Sequence, residues 1–498
     1  MIDHAMMSSM SPPADNIKGR IKLFPSERRL VWWLFVAVAS VLFIFQEGAV
    51  TGYDGITMYQ VTESIVEEQD VSIGDEWNTL PGRFGLEYGR YGLGLSLVAV
   101  IPFVLAKPLA TAGDAEQVLE AAVSTSMPLI TAGLIVALYL LGRRLGAGPV
   151  AALFVAIGGV AGSFLLPYSK EFYSEPLAAL LVVVAIERIL AQSPGLSGLA
   201  LGAAVLTRGQ IALFVPFLLV AAWRREGTRG ALLLGVGLVP GLLVTLGYNF
   251  LRFGHLFRFG YEDVGFTTPI LTGISGLLFN PLKSVFLFAP FILVLPLALA
   301  KLWRESRTAF VLITSNFVIT LLVTATWFAW HGGWCWGPRL LIPGLAPAVA
   351  AVGPWLSRGK YTVTTILFLV GFLVSFPALI VSTQRQQLEV PRVPPETHFH
   401  DTQPLSSPSV IRQFELISPT AAYSVEHLYE PADDGQNYLR YLSVWQFGAT
   451  RVLGRAGLML AVAGTAILSA TGAFAVVRLL VKGREVSAGP SAASQAAG

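Results

Sequence analysis

Few features constrain a fold as strongly as uncharged stretches of membrane-spanning length. Val31 to Phe45 reads VWWLFVAVASVLFIF, without one charge. Comparable apolar runs recur at 31–50, 122–141, 149–166, 175–191, 230–249, 282–300, 308–327, 339–356, 361–381 and 454–478. A helix of about 20 apolar residues crosses the bilayer core, where every backbone polar group must find its partner inside the protein. Charged residues make up only 13% of the chain, against about 25% in soluble domains. These runs predict an all-α polytopic membrane protein.

Two further segments are ambiguous, 91–110 (YGLGLSLVAVIPFVLAKPLA) and 196–222 (LSGLALGAAVLTRGQIALFVPFLLVAA). Lys and Arg in short loops favour the cytoplasmic side. Basic clusters stand at KGRIK and ERR before the first span, then at GRR (142–144), WRREGTR (223–229), KLWRESR (301–307), SRGK (357–360) and VKGR (481–484). All of them share one side only if 91–110 stays outside and 196–222 is a hairpin, which gives about 12 crossings with both termini inside. The expected organisation is a cytoplasmic segment 1–30, a transmembrane module 31–382 that includes an outer loop 51–121, an outer loop or small cap 383–452, a last span 453–480 and a disordered cytoplasmic tail 481–498. No small-residue cleavage site follows the first apolar run, so that run is expected to be a retained anchor. The outer surface carries the long polar segments, and chemistry is expected there.

The formal charge of +3 gives no reason to expect nucleic acid, and the single Cys335 excludes an internal disulfide. No Walker loop, dinucleotide fingerprint, HExxH or paired-cysteine metal site is present. A nucleotide-dependent enzyme is therefore not indicated, and any donor should be lipid-borne.

Within TGYDGITMY (51–59), Asp54 lies just past the first apolar run. A carboxylate there is partly desolvated and open to tuning, and Gly52 and Gly55 permit a tight turn around it. The neighbouring acids Glu67, Glu68, Asp70, Asp75 and Glu76 read as a solvated face. LPYSKEFYSEPL brings Lys170, Glu171 and Glu175 to a helix mouth. Glu175 is explained by the helix dipole; Glu171 is the more exceptional acid, though a salt bridge to Lys170 would account for it. Arg208 sits at the tip of the proposed hairpin, facing an anionic headgroup there, or needing a carboxylate partner if the segment is one span. WFAWHGGWCWGPR gathers tryptophans, His331 and Arg339. The tryptophans are ordinary interface residues, and His331 is more readily an interfacial residue than a ligand. Arg339 is the better anion ligand, because guanidinium grips phosphate in bidentate fashion; Arg258 and Lys283 are weaker forms of the same idea.

The order of these elements resembles the GT-C superfamily of integral-membrane glycosyltransferases, to which protein O-mannosyltransferases and the aminoarabinose transferase of lipid A belong. The resemblance rests on Tyr53, Asp54 and Tyr59 in a YD-x4-Y pattern, EYGRYGLGLSLVAVIPFVL, LGRRLGAGPVAALFVAI, YSKEFYSEPLAALLVV, GLALGAAVLTRGQIAL, YNFLRFGHLFRFGY, LLFNPLKSVFLFAP and WHGGWCWGPRLLIPGLAP. It implies extracytoplasmic juxtamembrane helices in the first outer loop. The activity it implies is transfer of a sugar from a polyprenyl-phosphate carrier to an acceptor hydroxyl on a glycan, lipid or protein, by inverting single displacement. The first-loop acid, here Asp54, would be the base, and Glu171 the second acid. Tyr53, Tyr59, Glu87, Lys170, Glu175, Arg208, Arg258, His331 and Arg339 would bind substrate, Arg208 and Arg339 meeting the carrier phosphate. Some relatives carry a divalent cation, whose ligands this sequence does not identify. Many also carry two adjacent acids in the first loop, whereas Gly55 follows Asp54 here. No family motif matches 383–452.

Three other readings compete. A secondary transporter would show two related halves and charges within mid-span helices; no internal repeat is visible, and the charges lie at span ends. A lipid-linked oligosaccharide polymerase or ligase would build its site around a large outer loop, a role open to 383–452. A non-catalytic scaffold would tolerate loss of Asp54.

Overall fold

The structure, a computed structural model, describes residues 25–74, 78–110, 115–333, 335–356, 360–383, 385, 409–426, 443 and 462–481. Among them, six helices are long and apolar enough to cross a membrane, and shorter apolar helices accompany them. The chain is a multi-pass membrane protein. Helix α1 (Pro25–Phe43) is followed by α2 (Tyr53–Glu67), a small sheet, and then α3 (Gly94–Ala106), α4 (Ala115–Ser124) and α5 (Ser126–Arg144). Next come α6 (Pro149–Ala161), α7 (Ser174–Leu190), α8 (Pro194–Thr207) and α9 (Val215–Phe253). The short α10 (Ile270–Phe279) and α11 (Val285–Phe288) precede α12 (Leu295–Glu305), α13 (Arg307–Thr326), α14 (Ile342–Leu356) and α15 (Tyr361–Ile380). Two short helices, α16 (Ser409–Glu415) and α17 (Ile417–Glu426), and the apolar α18 (Val462–Val481) complete it.

Most apolar runs become helices with little displacement: 308–327 is α13 and 361–381 is α15. The run at 282–300 differs. Pro290 and Pro296 interrupt it, so it forms α11, a 3-10 stretch at Pro290–Val294 and α12. Proline removes a helix hydrogen bond and clashes with the preceding turn.

The hairpin expected over 196–222 is present. The helix after the 3-10 turn Gly209–Phe214 is broken at Gly227, which takes φ 65°, a conformation that only glycine adopts freely. Gly195 faces Gly237, and Gly202 faces Gly241, with the backbones in direct approach. Helix α8 and the second half of α9 therefore run parallel, and 209–226 must return between them. Small residues permit this approach, which supplies packing where lipid offers no hydrophobic drive.

Helix α14 forms the centre. Every residue from Ile342 to Leu356 is buried, against α5, α6, α7, α12 and α13. Its Ala, Gly and Pro content lets five neighbours crowd around it. The outer helices instead present Leu and Val outward; Leu232, Val236 and Leu243 on α9 are each more than 60% exposed.

The first loop departs from an all-helical expectation. Strands β1 (Ser72–Ile73), β2 (Thr79–Pro81) and β3 (Glu87–Gly89) form an antiparallel sheet in the order β1-β3-β2. Tyr88 pairs with Ser72 on one side and Leu80 on the other. Helix α3, from the ambiguous 91–110, has 13 residues, about 20 Å at 1.5 Å each, which is short of the bilayer core of about 30 Å. It packs on α2 and α4 and leaves Ile101 and Leu105 exposed.

Arginines fasten this loop to the end of α9. Buried Arg252 donates from Nη1 to the Gly89 carbonyl at 2.6 Å and from Nη2 to Asn249 Oδ1 at 2.8 Å. Its guanidinium lies 3.9 Å from the Tyr248 ring. Arg90 forms a bidentate pair with Asp263, each bond 2.6 Å. Most of the expected cap 383–452, the segment 1–24 and the tail 482–498 lie outside the described residues, as do Asp75, Glu76 and Trp334.

Candidate functional site

Four polypeptide segments bring charged groups together, the fourth being the turn at Arg208 that follows α8. The first is the start of α2. Gly52 precedes it at φ 76°, which lets the chain turn sharply from the end of α1 and places Asp54 in the first helical turn. Gly55 then lies against the Phe172 carbonyl. The second is 167–175, where Tyr173, in extended conformation, leads into α7 with Ser174 and Glu175 in its first turn. The third is the turn before α14. Lys283, buried, donates to the carbonyls of Gly333 at 3.0 Å and Cys335 at 2.7 Å. Tyr168 donates to the Trp336 carbonyl at 2.8 Å. Two clamps thus hold the residues that deliver Arg339.

The result is an alternating chain of charge. Arg339 donates from Nη2 to Asp54 Oδ2, and its Nε lies 3.6 Å from Glu175 Oε1. Arg208 lies on the far side of Glu175, with Nη1 at 2.9 Å from Oε1 and donating to Ser174 Oγ at 3.1 Å. The Tyr173 ring stacks beneath Arg339 at 4.3 Å. Asn78 donates weakly to Asp54 Oδ1 at 3.4 Å. Burial first, then the Asp54 charge, holds the Tyr91 hydroxyl well above its ordinary pKa. Tyr261, held up mainly by burial, feels Arg208, Asp54 and Glu175. The Arg339 side chain is 8% exposed and that of Asp54 22%. Arg339 Nε and Nη1 have no hydrogen-bond partner, and a buried unsatisfied donor calls for an explanation.

Of the residues singled out in the sequence, Asp54, Glu175, Arg208 and Arg339 meet here. Arg208 lies at the hairpin tip and has a carboxylate partner there, Glu175, a partner that the sequence requires only of a single span. Lys170 and Glu171 belong to a separate buried group. Lys170 donates to Glu47 Oε1 and Ser443 Oγ, both at 2.5 Å, and Glu171 accepts from Thr383 at 2.7 Å while only 1% exposed. Tyr53 is exposed beside Asp54, and Glu87 lies half-buried in β3. Tyr59 is buried against Phe103; burial, with Glu63 and Glu120 nearby, raises its hydroxyl pKa. Arg258 lies 3.6 Å from Glu262 and stacks on Phe253. His331 Nδ1 accepts from the Gly333 amide at 3.0 Å. Lys283 supports the Arg339 turn. Asn78, Tyr91, Tyr173, Ser174 and Tyr261 were not apparent as site residues, since each joins the group only through contacts across the fold.

Among the described residues, no three of His, Cys, Asp and Glu converge as a metal centre requires. Asp54 and Glu175 already face guanidinium groups, so these carboxylates do not form a donor set for a divalent cation. The two arginines and the N-termini of α2 and α7 instead favour an anion.

No protein-family profile and no curated protein matches the chain. Among solved structures, the aminoarabinose transferase ArnT from Cupriavidus metallidurans in its apo state aligns with a TM-score of 0.50 at 17% identity, covering 90% of this chain and 76% of that one. The same protein bound to undecaprenyl phosphate gives 0.48 at 16% identity, with the same coverage. The oligosaccharyltransferase AglB from Archaeoglobus fulgidus, in complex with an inhibitory peptide and a dolichol phosphate, gives 0.34 at 17%, covering 93% of this chain and 51% of that one.

Proposed function

We propose that this chain, which shares the GT-C fold of the apo aminoarabinose transferase, is a glycosyltransferase. It moves a hexosyl or pentosyl group from a polyprenyl-phosphate carrier to an acceptor hydroxyl at the extracytoplasmic face, by inverting single displacement. The observation that carries this reading is the Asp54–Arg339–Glu175–Arg208 chain, with its buried unsatisfied Arg339 donors, at the meeting of two helix N-termini. The acceptor is a glycan, lipid or protein.

The acceptor oxygen forms its bond to the anomeric carbon as the bond from that carbon to the phosphate oxygen breaks. Asp54 takes the acceptor proton, a role suited to a carboxylate within hydrogen-bond reach. Negative charge grows on the departing phosphate, and Arg339 with Arg208 stabilises it from fixed positions. Glu175, which holds both arginines, takes the second-acid role in place of Glu171. Asn78 orients Asp54.

The topology is about 12 crossings: α1, α5, α6, α7, α8, both halves of α9, the α11–α12 segment, α13, α14, α15 and α18. The clusters at 142–144 and 223–229 then lie inside, and Asp54, Glu175, Arg208 and Arg339 outside.

The test supplies purified protein in nanodiscs with polyprenyl-phosphate hexoses and pentoses and with envelope extract as acceptor. Released polyprenyl phosphate and the anomeric configuration of the product are measured. Turnover with one donor, with inversion at the anomeric carbon, is expected. A retained configuration rules out single displacement. Failure of the carrier phosphate to bind at all rules out the class.

A further inference from the structure

We infer that Asp54 has a second role: as the counter-ion of Arg339, it holds the carrier-phosphate position closed until the donor displaces it. The inference rests on the reading of Arg339 as a phosphate ligand.

Arg339 is the fixed partner of the pair. Its guanidinium lies on the Tyr173 ring at 4.3 Å, and Glu175 stands 3.6 Å from its Nε. Asp54 is the more exposed and less constrained partner. It sits in the first turn of α2, and apart from Arg339 it is reached by Asn78 at 3.4 Å. Counting only these four groups, two arginines balance two carboxylates. A phosphate adds a third anion to the same two cations, and one carboxylate must yield.

Glu175 is 1% exposed and lies between both arginines, so it stays. Asp54 leaves Nη2. The phosphate then takes that donor together with Nη1, which has no hydrogen-bond partner within the protein. Bidentate capture of this kind is what a guanidinium does best. Displacement also changes what Asp54 can do. While it accepts from Arg339, one of its oxygens is occupied. Once the phosphate has taken Arg339, that oxygen is free to accept the acceptor proton. The base is thus released by the arrival of the group that makes it useful, and the donor binds first.

The competition has a measurable consequence, because binding weakens by the fraction of molecules in the competent state. Polyprenyl phosphate, without sugar, is titrated into the full chain in nanodiscs, and binding is read by native mass spectrometry. Asp54→Asn removes the competitor and is expected to bind about tenfold more tightly, in line with one charge-assisted hydrogen bond no longer to be broken. Asn78→Ala keeps every charge and only loosens Asp54, so a smaller gain in the same direction is expected. In an Arg339→Gln background the gain from Asp54→Asn should vanish, since nothing is left to compete for. A gain that persists there is general repulsion between Asp54 and the phosphate, and overturns the inference. Unchanged or weaker binding by Asp54→Asn overturns it too, while loss on Arg339→Gln alone leaves the proposed function standing. Absence of binding by the wild type and by Asp54→Asn removes both.

Discussion

A methyl group at Gly94 should separate the first loop from the hairpin tip and so disable the site from outside it. A Cβ placed on Gly94 would lie 2.1 Å from Thr207 Oγ1 and 2.9 Å from Thr207 Cα, where ordinary contact begins at 3.4 Å. Thr207 cannot simply turn away, because its hydroxyl donates to the Ala203 carbonyl at 2.8 Å. The start of α3 must therefore withdraw from the end of α8 by about 1 Å, the kind of overpacking that costs about 1–3 kcal/mol. The first loop, whose Asn78 reaches Asp54, lies before this junction, and Arg208, which holds Glu175, lies just after it. A misplacement of about 1 Å between groups of one site costs on the order of 100-fold in rate. The assay is release of polyprenyl phosphate by Gly94→Ala at matched folded protein, with the thermal midpoint recorded alongside. Thr207→Ala in the same chain should restore part of the rate, because it removes the hydroxyl but not the backbone contact. Gly74→Ala is the control, with nothing within 4 Å of its added methyl, and should be silent. A Gly94→Ala chain with wild-type rate would refute the claim that this junction sets the site.

Arg252→Ala should destabilise the folded chain by about 3 kcal/mol or more, since it strips two charge-assisted hydrogen bonds, and should expose the first loop to limited proteolysis. An unchanged midpoint and cleavage pattern would contradict its role as a fastener. Glu187→Gln leaves buried Arg144 without its carboxylate 2.9 Å away, at a cost of about 3–5 kcal/mol. Turnover per folded molecule should persist, because Glu187 lies three turns along α7 from Glu175; a turnover loss without a stability loss would speak against that separation. Burial pushes the Glu171 carboxyl up to about 7 from an ordinary 4.5. The folded chain therefore keeps a proton that the unfolded chain releases. Stability from this group is full at low pH and is lost as pH rises from about 4.5 through 7, by about 3 kcal/mol. Unfolding midpoints of wild type and Glu171→Gln should diverge across that window, with wild type the one that falls; parallel curves would exclude it.

The spans were legible because uncharged length is a local signal. Runs such as 308–327 and 361–381 needed nothing from elsewhere in the chain, and the basic clusters were enough to separate hairpin from single span at 196–222. The three strands were not legible, as two or three residues cannot display alternation. Asp54, Arg208 and Arg339 were visible as charges at span ends, where desolvation makes charge costly. The partners of Glu175 were not legible, because the helix dipole already explains an acid at that position and says nothing of the arginines across the fold. Glu171 seemed the more exceptional acid, and its partner Thr383 lies 212 positions away. Tyr91 and Tyr261 carry no local mark at all; only the folded loops bury them where the charge of Asp54 is felt.

The most direct measurement is a single turnover with Asp54→Asn. Protein loaded with a polyprenyl-phosphate sugar that the wild type uses is mixed with acceptor, and glycosylated product is followed in time. Loss of a general base slows transfer by roughly 100-fold to 10,000-fold, while the loaded donor stays bound. That slow phase, with donor occupancy undiminished, is the result expected. Transfer by Asp54→Asn at the wild-type rate would show that the carboxylate at the mouth of the first span takes no proton, and the central claim would fall.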